Sequence, residues 1–118
     1  MTYGTTSDVK TRCEIEQDND KYVDLIKRAL DYADDMIDSL FKSAAAAVPT
    51  PTPPMIAEAA SDIAAYFIIR PRNMELAEKY LTAGVNAVNL YISANVTGQT
   101  GGAQRVSTPQ VSSNKGDD

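Results

Sequence analysis

No histidine occurs in the 118 residues, and cysteine occurs once, as Cys13. The first absence removes Ser–His–Asp and Cys–His catalysis in their usual forms, together with the commonest zinc ligand. The second excludes an intramolecular disulfide and a thiolate metal cage. Gly98, Gly101 and Gly102 make no phosphate loop, because no Gly-Lys-Ser/Thr follows and no strand pattern precedes them. Asp18, Asn19 and Asp20 lack the alternate ligands, central glycine and terminal glutamate of a calcium loop. Long apolar runs are missing too. The longest, around Ile63 to Ile69, is far below the roughly 20 residues that span a bilayer. No basic segment leading into an apolar run opens the chain, so Asn95-Val96-Thr97 is expected to stay unglycosylated despite its acceptor form. These absences predict a soluble intracellular protein with no catalytic residue, no metal and no cofactor.

Positive charge is scarce. The formal net charge of −5 lies entirely in residues 1–96, since Arg105 and Lys115 balance Asp117 and Asp118 beyond them. An acidic surface repels phosphate backbones, so sequence-specific nucleic-acid binding is not expected. Large apolar side chains are also scarce in residues 97–118, where Val106 and Val111 are the only anchors. The foldable part is therefore residues 1–96, with 97–118 a flexible or extended Ser/Thr/Gly-rich tail. A body of that size buries only about two-thirds of its unfolded surface, which favours assembly with further copies or with a partner.

What is present has the helical period throughout. An extended arm leads to a short helix in which Thr6 or Ser7 is the expected cap, Asp8 lies in the first turn, and Val9 and Cys13 share a face. Over residues 20–46, Tyr22, Leu25, Ile26, Ala29, Ala33, Met36, Ile37, Leu40, Phe41 and Ala44 recur at i, i+3, i+4, i+7. Asp18 or Asn19 is the expected cap there, and Asp24 is placed to pair with Arg28. Pro49, Pro51, Pro53 and Pro54 end that helix, and Thr52 is the expected cap of the next. From Pro54 to Ile69 the pattern is apolar nearly all round, with Glu58, Ser61 and Asp62 as a narrow polar stripe, so this helix belongs at the centre. Pro71 closes it. The last helix, residues 73–95, lines up Met74, Ala77, Leu81, Gly84, Val88 and Tyr91, with Tyr80 and Ala87 beside them. Gly84 in mid-helix costs roughly 1 kcal/mol against alanine, and close approach of another helix is the usual compensation. The fold class is all-α: a small bundle of one short and three longer helices with an extended C-terminal tail.

Asp31, Asp35 and Asp38 project together opposite the apolar stripe of the long helix, with Asp34 beside them. Like charges at i, i+4 destabilise a helix slightly. A solvated face and a docking face for a basic partner are both open readings. Arg70 and Arg72, flanking Pro71, form a compact basic counterpart. One subunit's turn is expected to meet the next subunit's aspartates.

The order of features resembles the head–tail adaptor (connector) proteins of tailed phages and prophages. The resemblance rests on Tyr3-Gly-Thr-Thr-Ser-Asp-Val9, on Ile26-x-x-Ala29-x-x-x-Ala33-x-x-x-Ile37-Asp38-Ser39-Leu40, and on Pro54-x-Ile56. It continues through Ala60-x-Asp62-Ile63-Ala64-x-Tyr66 and Ala77-x-x-Tyr80-Leu81-x-x-Gly84. It covers about residues 3–95 and departs in the proline-dense link and the long tail. It implies a ring, commonly of twelve copies, that docks on the portal protein at the head–tail junction and presents a platform to the next neck or tail protein. The competing reading is a small cytoplasmic interaction module that binds a basic partner through the aspartate face. A helical DNA-binding protein is disfavoured by charge, and an enzyme working with aspartates alone comes last.

Overall fold

Prolines and polar caps divide the chain into four helices. The computed structural model describes residues 2–96. Its helices are α1 (Thr6–Cys13), α2 (Val23–Ser43), α3 (Pro54–Ile69) and α4 (Met74–Asn95), and no strand occurs among the described residues. The fold is all-α, as the periodicity predicts.

The helix starts differ in detail from expectation. Thr5, not Thr6 or Ser7, caps α1: it is still extended, and its side chain accepts the Asp8 N–H at 3.2 Å. α2 begins at Val23 with no side-chain cap, because Asn19 spends its carbonyl on the Lys21 N–H at 2.8 Å in the preceding turn. Pro53, not Thr52, precedes α3, and Pro54 takes the first helical position, where a missing N–H costs nothing. Asn73 caps α4 by accepting the Leu76 N–H at 3.1 Å.

α3 is the central element, packing on α4, α2 and α1. It buries Ile56, Ala59, Ala60, Ile63, Ala64 and Ile68 against Ile26, Ala29, Leu30, Ala33, Ile37 and Phe41 of α2 and Val88 and Ile92 of α4. Tyr32 packs on Phe67 with ring centres 5.1 Å apart, and Phe41 meets Tyr91 at 6.0 Å.

Three side chains depart from the sequence pattern. Ser61, expected on the polar stripe, is wholly buried; it donates to the Ala57 carbonyl at 3.2 Å and so needs no outside partner. Leu30, outside the expected apolar stripe, is buried because the N-terminal arm closes over that flank of α2. Met74, expected on the inner face, is 50% exposed at the open first turn of α4. The expected Asp24–Arg28 pair does not form; both ion pairs among the described residues belong to Arg12.

α4 crosses α3 at Gly84. A Cβ there would lie 2.7 Å from Ile63 Cγ1 and 2.9 Å from the Ala59 carbonyl oxygen. Gly4 serves the same purpose for the arm, since a Cβ would meet Ser61 Oγ at 2.9 Å and Leu30 Cδ2 at 3.1 Å.

Candidate interaction site

The acidic flank of α2 and the α3–α4 turn are the two charged features on which an interaction can be built. Helical geometry brings Asp31, Asp34, Asp35 and Asp38 onto one side of α2. The arm reaches part of this flank. Tyr3 donates its backbone N–H to Asp34 Oδ1 at 3.0 Å, and its hydroxyl donates a short hydrogen bond to Asp38. Gly4 makes this possible by fitting between α2 and Ser61. Asp31 and Asp35 have no hydrogen-bond or ion-pair partner among the described residues, and both are exposed. The arm thus divides the stripe into a tethered pair and a free pair.

Electrostatics follow from this division. Burial raises the Asp34 carboxyl above its usual range; the Tyr3 N–H works against the shift, and the charges of Asp38 and Asp31 add to it. Burial, then the hydrogen bond to and charge of Asp38, then the charge of Asp34, push the Tyr3 phenol from 10.0 up to about 12. A folded value above the unfolded one means that this contribution is complete below about pH 10 and is lost as pH rises toward 12. A spectrophotometric titration of the parent minus Tyr3→Phe should therefore show one phenol ionising near pH 12. A difference curve centred on pH 10 would remove the anchor.

The basic counterpart is also split. Arg70 lays its guanidinium 5.5 Å from the Tyr66 ring centre and 5.1 Å from that of Phe67, which fixes its direction while it stays exposed. Arg72 is exposed at the rim of a cleft of about 390 Å³, with Cys13, Tyr22, Leu25 and Ile68 among its walls. Neither arginine forms an ion pair among the described residues. Burial, partly offset by Arg72 and Arg12, pushes the Cys13 thiol up to about 11, which keeps it protonated and unreactive near neutrality. Gly84 lies inside the α3–α4 contact, so its part in any assembly is indirect. Val106 and Val111 lie outside the described residues.

Arg12 has no role in the sequence pattern, and Tyr3 and Gly4 enter it only within the opening Tyr3-Gly-Thr-Thr-Ser-Asp-Val9 segment. Arg12 clasps Glu58 at 2.5 Å and Asp62 at 2.6 Å, and its carbonyl accepts the Tyr80 hydroxyl at 3.3 Å, so one residue ties α1 to α3 and α4. Burial disfavours its charge, but the hydrogen bonds and charges of Asp62 and Glu58 outweigh that and raise its pKa. Nothing in local sequence flags a contact spanning 50 residues.

Among the described residues, no group of three or more His, Cys, Asp or Glu side chains is placed to hold a metal ion, and no helix is long and apolar enough to cross a membrane. No curated protein and no solved structure matches the chain significantly. A family model described as Bacteriophage Mu, Gp36 matches residues 5–93, which takes in nearly all of the four-helix body. The chain therefore belongs to the bacteriophage Mu Gp36 family and is a phage protein.

Proposed function

We propose that this protein is a structural component of the phage particle: a head–tail adaptor whose helical body, residues 1–96, forms a homo-oligomeric ring. The ring, of about twelve copies by the adaptor resemblance, docks on the portal protein and presents a platform to the next neck or tail protein. Residues 97–118, with Val106 and Val111, are assigned to contacts within the particle. The protein acts by shape and carries out no reaction.

The observation that carries this reading is a pair of oppositely charged, unpaired patches on different parts of one small phage protein. Asp31 and Asp35 on α2 and Arg70 and Arg72 at the α3–α4 turn are exposed and form no ion pair among the described residues. Patches that differ in this way join head to tail, and a head-to-tail contact yields a ring when its rotation closes. Arginine suits such a contact because its planar fork engages a carboxylate through two hydrogen bonds. Each exposed pair is worth only about 0–1 kcal/mol, but a ring repeats it at every interface.

Assembly is accordingly expected to weaken as salt rises. Asp35→Lys should impair it while leaving the monomer's helicity unchanged, and Arg72→Glu in the same chain should restore it. Sedimentation velocity with and without portal protein reads both effects. Normal assembly of Asp35→Lys across the salt range would reduce the stripe to a solvated face. A chain that stays monomeric with portal but binds a basic protein through Asp31 and Asp35 would establish the interaction-module reading instead.

A further inference from the structure

The link between α1 and α2 is pinned by its own hydrogen bonds. Lys10, only 5% exposed, donates its ammonium to the Gln17 carbonyl at 2.7 Å. Gln17 returns its side-chain amide to the Ser7 carbonyl at 3.1 Å and the Thr11 hydroxyl at 3.2 Å. The Asn19 N–H closes the turn on the Glu16 carbonyl at 3.0 Å. One wall of the cleft of about 390 Å³ is built from this link, so the cleft is in place before anything enters it.

The cleft lies between the end of α1, the start of α2 and the end of α3. Its interior is apolar, made by Cys13, Ile15, Tyr22, Leu25 and Ile68. Its edge carries Glu14 and Glu16 from the link and Arg72 from the α3–α4 turn, all three exposed. None of them forms an ion pair among the described residues. A concave apolar interior with a few charged groups around it is the usual make-up of a binding site, and the volume is in the usual range. Two glutamates against one arginine leave the edge acidic. The matching occupant is therefore an apolar side chain with a cation beside it, turned toward the glutamates and away from Arg72. Exposed large apolar residues of the body fail that condition. Val23 adjoins Asp24, Met74 and Leu76 adjoin Glu75, and Met55 and Leu90 have no charged neighbour in sequence. Arg105-Val106 meets it.

We infer that this cleft receives Val106 of a second copy, with Arg105 set against Glu14 and Glu16. Chain length selects the second copy over the same one. Val96 lines a groove with Ala44 and Pro49, past the last turn of α2, whereas the cleft lies at its first turn. With 21 residues in α2, the two places are about 30 Å apart. Residues 97–106 include three glycines. A chain of that length and composition spans about 17 Å as a coil and at most about 36 Å when pulled straight. Its own cleft is reached only by a nearly straight chain, an entropic cost that a neighbour's cleft does not impose. The contact is heterologous and rests on the adaptor reading only in requiring that copies meet; it uses neither Asp35 nor the portal.

The test titrates a peptide of residues 103–112 into the fluorescently labelled full chain, kept dilute enough to be monomeric, with binding read by thermophoresis. The peptide should bind saturably below millimolar concentration. Val106→Asp in the peptide should weaken binding at least tenfold. Glu16→Lys in the chain, at an exposed position that leaves helicity unchanged, should weaken it about fivefold. Arg105→Glu in the peptide should restore binding to that variant chain. Val106→Asp in the chain itself should leave its affinity for the parent peptide unchanged. A rise would show that each chain fills its own cleft and would overturn the assignment to a second copy. No binding at millimolar peptide, or binding indifferent to Val106→Asp or to Glu16→Lys, would overturn the occupant and leave the cleft to a different protein. Asp35→Lys should not alter peptide binding, so failure here and failure of the adaptor reading are told apart.

Discussion

Gly84→Leu should leave no cooperatively folded body. A bare Cβ at this position would already sit 2.7 Å from Ile63 Cγ1 and 2.9 Å from the Ala59 carbonyl oxygen. The first neighbour is a buried side chain of the central helix and the second is backbone, so neither moves cheaply. A leucine adds three further carbons to that space. Overpacking of this kind costs about 1–3 kcal/mol when the core can adjust and more when backbone blocks it. Small domains hold only about 5–15 kcal/mol in total. Gly84→Ala separates the two terms that act here. Alanine gains about 1 kcal/mol of helix propensity, while its Cβ must push α3 and α4 apart along their whole contact. The expected sign is destabilising, with a melting point several degrees lower in both calorimetry and dichroism. A rise in melting temperature for Gly84→Ala would mean that the two helices are not in close contact at this point.

The sequence carried the helices and most of the core because both depend on local period. Ile26, Ala29, Ala33, Ile37 and Phe41 are readable from spacing alone, and they are buried. Gly84 was readable for a related reason, since a glycine inside a strong helical pattern demands compensation. Caps were less legible. Thr5, Thr6 and Ser7 are chemically interchangeable as caps, and only the point where the backbone leaves the extended region chooses among them. Spacing puts Ser61 on the polar stripe because it cannot show that the hydroxyl turns back onto the Ala57 carbonyl while Gly4 covers it. The candidate site was legible in its residue types and only partly in its geometry. Helical spacing groups the four aspartates, but the arm that engages Asp34 and Asp38 comes from 31 and 35 residues away.

Arg12→Ala should be the most damaging single charge removal in the chain, because the Arg12 side chain holds both ion pairs among the described residues, and both tie α1 to α3. Its side chain is 17% exposed, and its two partners differ: Asp62 is 21% exposed and Glu58 is 64% exposed. The Glu58 pair, largely in water, is worth at most a few tenths of a kcal/mol. The Asp62 pair carries more, because removing the guanidinium leaves a mostly covered carboxylate with no partner. Truncation also removes the hydrogen bond that the guanidinium donates to the Asp8 carbonyl at 3.2 Å. Together these cost about 2 kcal/mol, which for a body of this size lowers the melting point by roughly 10 °C. Arg12→Lys keeps the charge but loses the fork that reaches both carboxylates, so it should fall between the parent and Arg12→Ala. A double-mutant cycle tests the assignment: Arg12→Ala should couple more strongly to Asp62→Asn than to Glu58→Gln. Equal coupling to both partners, or a melting point for Arg12→Ala within a degree of the parent, would show that α1 is held by Val9 and its apolar neighbours alone.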